Sequence, residues 1–127
     1  MQTATTIARY LLGLIFLVFG LNGFLHFIPM QAPTGTAAQF FAALYASGYL
    51  NVIFAFQIAP AIFLLINRYV PLALTVLAPI MVNILCFHIC MEPKGLPIAL
   101  IAAALWFVVF LGVRSAFAGL FQARVSA

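Results

Sequence analysis

The sequence predicts an all-α membrane protein, a four-transmembrane-helix bundle formed as a single unit over residues 1–127. Two features of the whole chain lead there. Of the 127 residues, 68% are hydrophobic and 5% charged, and the mean hydropathy is +1.29. A soluble domain carries roughly 25% charged residues, so this composition cannot cover a surface facing water. The length holds about four apolar runs of ~20 residues, each enough to cross a bilayer core, with nothing left for a soluble domain.

The first run covers about residues 7–28. It exceeds the apolar core of a cleaved signal peptide, about 7–15 residues, and Met30 would occupy the −3 position of a cleavage site before Ala32. It reads as a retained helix. Pro29, Pro33 and Gly35 then break the chain. A short uncharged helix is expected over about 36–47, capped by Thr34 or Thr36 and ended by Gly48. It is too short to span and is expected to lie across the mouth of the bundle on the outer face, with Phe40, Phe41 and Leu44 turned inward.

A second span is expected over about 49–66, with Pro60 as a kink. Asn67, Arg68 and Tyr69 form a turn, and Pro71 falls in the first turn of a third span over about 70–91, where a missing N–H does no harm. Pro79 lies inside that span. Glu92, Pro93, Lys94 and Gly95 make the next turn, and a fourth span follows over about 96–116. Its Ala99/Ala103 and Gly112/Ala116 pairs have the small-residue spacing of closely packed membrane helices.

The formal charge of +4 comes from scattered single basic residues. They form no patch for nucleic acid, which is excluded as a partner, and they carry topology information instead. Arg9, Arg68, Arg114 and Arg124 map to one side, and Lys94 alone to the other. Short loops rich in Lys and Arg remain inside, so both termini are expected in the cytoplasm, with the bilayer as the main partner.

Polar side chains within the apolar runs are costly unless another polar group meets them. Asn22, Gln57 and Asn83 lie at similar depths, roughly 9–12 Å from the expected outer ends of their spans at 1.5 Å per residue, with His26 and His88 above them. These five residues are the expected ligand-binding set. On the first span Asn22 and His26 share a face. On the third, Asn83, Cys86 and Cys90 share one, and His88 points about 140° away from Asn83. Either Pro79 alters the winding there or His88 faces a different neighbour. The plainer reading makes the amides interhelical glue worth roughly 0.6 kcal/mol each, the histidines interfacial groups bonded to water or loop carbonyls, and Trp106 ordinary packing.

Cys86 and Cys90, four apart on a helix, have Cβ atoms roughly 5–6 Å apart, against about 3.8 Å in a disulfide. No bond between them is expected, and small packing roles fit them best. His26, Met30, Cys86 and Cys90 gather near the outer ends of the first and third spans. They are weak candidates for a soft-metal site, although their spacing matches no metal motif.

Several stretches resemble the DoxX-like family of small membrane proteins: RYLLGLIFLVFGLN over 9–22, FLHF over 24–27, ASGYL over 46–50, LLINRYVPLA over 64–73 and APIMVNILCFH over 78–88. Together they cover about half the chain and all but the last span. The resemblance implies a four-helix protein of a bacterial inner membrane; some relatives are linked to thiosulfate:quinone oxidation or redox-stress complexes, and many have no assigned activity. This chain departs from the family at two points. Gly23 stands where relatives often carry a basic residue, and Gln57 followed by Ala59 and Pro60 stands where they often carry a glutamate and glycines. A mechanism needing that carboxylate is thereby placed in doubt.

Two functions are therefore expected. One is a redox-linked membrane subunit holding a quinone-like or other small ligand in an outer-leaflet polar pocket, where a histidine can titrate near neutral pH. The other is a non-enzymatic assembly protein, its polar groups serving only packing, that contacts a membrane protein partner or forms a homo-oligomer. Whether the chain is an enzyme is left open. Alternating-access transport is disfavoured, since the spans show no clear internal repeat.

Overall fold

The computed structural model describes residues 2–126 and is all-helical, with no strand among them. Helix α1 runs Gln2–Leu25, α2 Gly35–Ser47, α3 Tyr49–Leu65, α4 Val70–Cys90 and α5 Leu96–Val113. A 3-10 turn, Pro93–Gly95, precedes α5, and a 3-10 segment, Arg114–Phe121, continues it. Three stretches are long and apolar enough to cross a membrane: Gln2–Leu25, Val70–Cys90 and Pro93–Phe121. A fourth is reached only if α2 and α3, which meet at 89°, count as one broken span.

The reason is length. At 1.5 Å per residue, the 24 residues of α1 extend about 36 Å, beyond a hydrocarbon core of ~30 Å, whereas the 17 residues of α3 extend about 25 Å. Helix α1 already includes Gln2, Thr3, Ala4, Thr5 and Thr6, ahead of the expected start near 7. It stops at Leu25 rather than 28 because His26 takes a left-handed φ of 53°, its N–H still bonded to the Asn22 carbonyl at 2.9 Å.

Thr34 is the N-cap of α2, yet its side chain makes no capping bond. Gly48 does end the helix as expected, with φ 77° and its N–H bonded to the Tyr45 carbonyl, a backbone state that costs glycine no Cβ clash. The chain turns there directly into α3. Phe41 meets the Phe87 ring of α4 edge-on at 5.1 Å and Phe40 stacks on it at 5.8 Å. Phe40 nevertheless stays 40% exposed, so only part of the expected inward face is covered.

Helix α1 packs against α3 and α5, and α4 packs against the same two. This arrangement defines two ends. Gln2, Leu65, Val70 and Val113 lie at one, called here the N-terminal end; Leu25, Tyr49, Cys90 and Leu96 lie at the other, the loop end. Hydrocarbon is as apolar as a protein core, so packing and hydrogen bonds, rather than hydrophobic burial, hold such helices together. Small residues let α1 and α3 approach: a Cβ on Gly23 would fall inside the Phe54 ring, and one on Gly13 would lie 2.9 Å from Leu65 Cγ. The fully buried side chains Leu12, Leu64, Leu74, Leu77 and Val109 concentrate toward the N-terminal end. Towards the loop end α4 turns Val82, Asn83, Cys86, Ile89 and Cys90 outward.

Among the described residues, side-chain hydrogen bonds from Trp106 and Arg9 also tie the helices. Trp106 Nε1 of α5 donates to the Leu74 carbonyl of α4 at 3.0 Å, while its ring stacks on Phe110 at 5.4 Å. Arg9 of α1, only 7% exposed, donates from Nη1 to the Leu64 carbonyl at the last turn of α3. The same carbonyl also accepts the Asn67 N–H at 3.3 Å, and a cation at a helix C-terminus suits the helix dipole.

Candidate functional site

The three amides of the expected site do not engage one another. Asn22 is buried, and its Oδ1 accepts the Ile28 N–H at 2.7 Å. It closes the end of its own helix, holding the chain where it leaves α1. Asn83 is exposed and donates from Nδ2 to the Pro79 carbonyl one turn earlier, at 2.8 Å. Gln57 is 7% exposed on α3, beside Gly20 of α1. It makes no hydrogen bond among the described residues, and its polar atoms are not sealed from the outside.

The histidines also have different surroundings. His26 is exposed at the end of α1. His88 is half-buried, with Nδ1 2.9 Å from the Glu92 carbonyl oxygen and its ring against Gly95, where any Cβ would collide with it. Helix α4 is continuous through Pro79, and His88 faces the turn into α5 rather than the side of Asn83. Met30, Cys86 and Cys90 are exposed and both thiols are free. Among the described residues no three His, Cys, Asp or Glu side chains gather as metal ligands would. His26, Cys86 and Cys90 therefore form no such group.

The outward face of α4 is the most unusual surface here. Leu72, Thr75, Pro79, Asn83, Cys86 and Cys90 are all exposed at intervals of three or four residues, the repeat that lines one side of a helix. Thr75 Oγ1 returns to the Pro71 carbonyl at 2.8 Å, as Asn83 does to Pro79. The Asn83 Oδ1 accepts nothing among the described residues. On a helix crossing a bilayer, an amide on that face with one end unmet would be costly.

Two cavities lie elsewhere. A cleft of about 210 Å³ between α3 and α4 is wholly apolar, lined by Phe56, Pro60, Phe63 and Leu72 among others. A larger one, about 400 Å³, opens at the N-terminal end and is lined by Gln2, Thr5, Thr6, Arg9, Asn67, Val70, Gly112 and Val113. No residue of the expected ligand-binding set lines either cavity. By sequence alone Arg9 is a topology marker and Asn67 part of a turn, and Thr5 and Thr6 carry no signal. Trp106 is ordinary packing by sequence, although an indole N–H inside an apolar run has to find an acceptor, here the Leu74 carbonyl.

No protein-family model, no curated protein and no solved structure matches the chain.

Proposed function

We propose that the chain is a non-catalytic assembly subunit of a bacterial inner membrane, a DoxX-like four-helix bundle that works by docking another membrane chain on α4. In this reading α3 is a short fourth span, α2 lies across the outer face, and the N-terminal end, rich in arginine, faces the cytoplasm. One observation carries the proposal: the exposed polar stripe through Thr75, Asn83, Cys86 and Cys90 on a helix that must lie in lipid. The occupant that fits best is a second copy. An amide both donates and accepts, so Asn83 can pair with its own mate across a twofold axis, the commonest symmetry of oligomers.

The test is oxidative cross-linking in native membranes, because Cys86 and Cys90 are the chain's two cysteines. A disulfide-linked dimer that is lost in Asn83→Leu is the expected result. An adduct of another mass replaces the second copy with a different membrane partner, and absence of any adduct removes the proposal.

Gln57 favours a second reading, the redox-linked subunit with a quinone-like ligand. Its amide is buried, unpaired and still reachable from outside, and an N–H of that kind suits a carbonyl oxygen. Neither Asn22 nor Asn83 is needed. Extraction of a quinone with the wild-type protein, and its loss in Gln57→Leu, supports this reading; equal recovery from both rejects it.

A further inference from the structure

The cavity at the N-terminal end poses an electrostatic problem that the assembly reading does not address. Arg9 lines it while 7% exposed, and burying a cation is costly unless an opposite charge or a full set of acceptors meets it. Its contacts are the Leu64 carbonyl and the face of Tyr10, 4.5 Å from the ring centroid. A guanidinium has five N–H donors, so most have no acceptor among the described residues. The chain cannot supply a side-chain counter-charge at this end. It contains one acidic residue, Glu92, which follows α4 at the loop end.

The rest of the lining suits an anion. Gln2, Thr5, Thr6 and Asn67 bring amides and hydroxyls, while Arg68 and Arg114 follow the adjoining ends of α3 and α5. The space is partly made by Gly112, which brings α5 against Thr5; any Cβ there would fall within the threonine side chain. Depth is compatible with this. Thr6 lies about 5 Å along α1 from Arg9 toward Gln2, the direction in which the helix leaves the hydrocarbon core.

We propose that this cavity binds a phosphate-bearing anion, with Arg9 as its charged anchor and Thr6 and Asn67 as neutral donors. Planar guanidinium groups recognise phosphate through paired N–H bonds. The phosphate is that of a lipid headgroup or of a free anion, and one experiment separates the two.

The experiment follows thermal unfolding of the full chain in non-ionic detergent, with added phosphatidylglycerol, diacylglycerol or inorganic phosphate. Binding to the folded state raises the midpoint with ligand concentration. A rise with phosphatidylglycerol alone assigns the site to lipid; an equal rise with inorganic phosphate assigns it to a free anion. Asn67→Asp supplies the control. Asn67 has φ 55°, a conformation aspartate also tolerates, and a carboxylate there competes for Arg9. It should raise the phosphate concentration needed for the same shift at least about tenfold, that is, by 1.4 kcal/mol or more. If that variant does not fold, Thr6→Leu, at an exposed lining position, fills the cavity to the same end. No shift with any phosphate, or an unchanged response in the folded variant, overturns the proposal.

Discussion

Replacing Asn22 with alanine removes the acceptor that holds the Ile28 N–H at 2.7 Å, and the cost can be worked from the surroundings. A neutral hydrogen bond contributes about 1 kcal/mol net, and a buried donor left unmet costs about 1–3 kcal/mol. Ile28 is half-buried, so water reaches its amide in part and the lower end of that range applies. Alanine is the better helix former by about half a kcal/mol, which offsets some of the loss. The expected destabilisation is therefore about 1 kcal/mol, concentrated where the chain leaves α1. Hydrogen exchange by mass spectrometry on the peptide covering 24–30 reads it directly. Exchange should quicken about fivefold, while peptides from α4 and α5 stay unchanged. Unaltered exchange at 24–30, together with loss of a co-purified small molecule, would refute a structural role for Asn22 and return it to a ligand site.

Gly23→Ala should lower resistance to denaturing detergent by roughly 1–3 kcal/mol, because the new methyl forces the Phe54 ring aside; wild-type stability would mean that α1 and α3 are not in contact there. Trp106→Phe keeps an aromatic face against Phe110 but loses the bond to the Leu74 carbonyl, at a cost of about 0.6–1.7 kcal/mol, read from unfolding followed by circular dichroism. Asn83→Leu should leave the isolated chain as stable as before or slightly more so, since its side chain is exposed and bonded only to its own helix. A large loss of stability in that variant would place Asn83 inside the bundle.

The helices were legible because their signals are local. Apolar runs set α1, α4 and α5, and Pro33, Gly35 and Gly48 bracket α2. The direction of polar side chains was not, because it depends on which backbone group lies within reach. Asn22 satisfies an amide six residues on and Asn83 a carbonyl four residues back. Similar expected depth along their helices therefore does not bring them together. Helical spacing did place Asn83, Cys86 and Cys90 on one face, yet α4 is apolar almost all round, so nothing in the pattern tells an inward face from an outward one. Arg9 shows the complementary gap. Charge counting reads it as a side marker, whereas its contact with Leu64 joins residues far apart in sequence.

The most direct test of the assembly reading is an electron spin-resonance distance between labels on Cys86 in a Cys90→Ser background, with the protein in lipid nanodiscs. Helices packed through the Asn83 face have axes ~8–10 Å apart. The account predicts strong dipolar coupling between copies that disappears when Asn83→Leu is added. Labels that show no coupling at any protein-to-lipid ratio would contradict the second copy on α4.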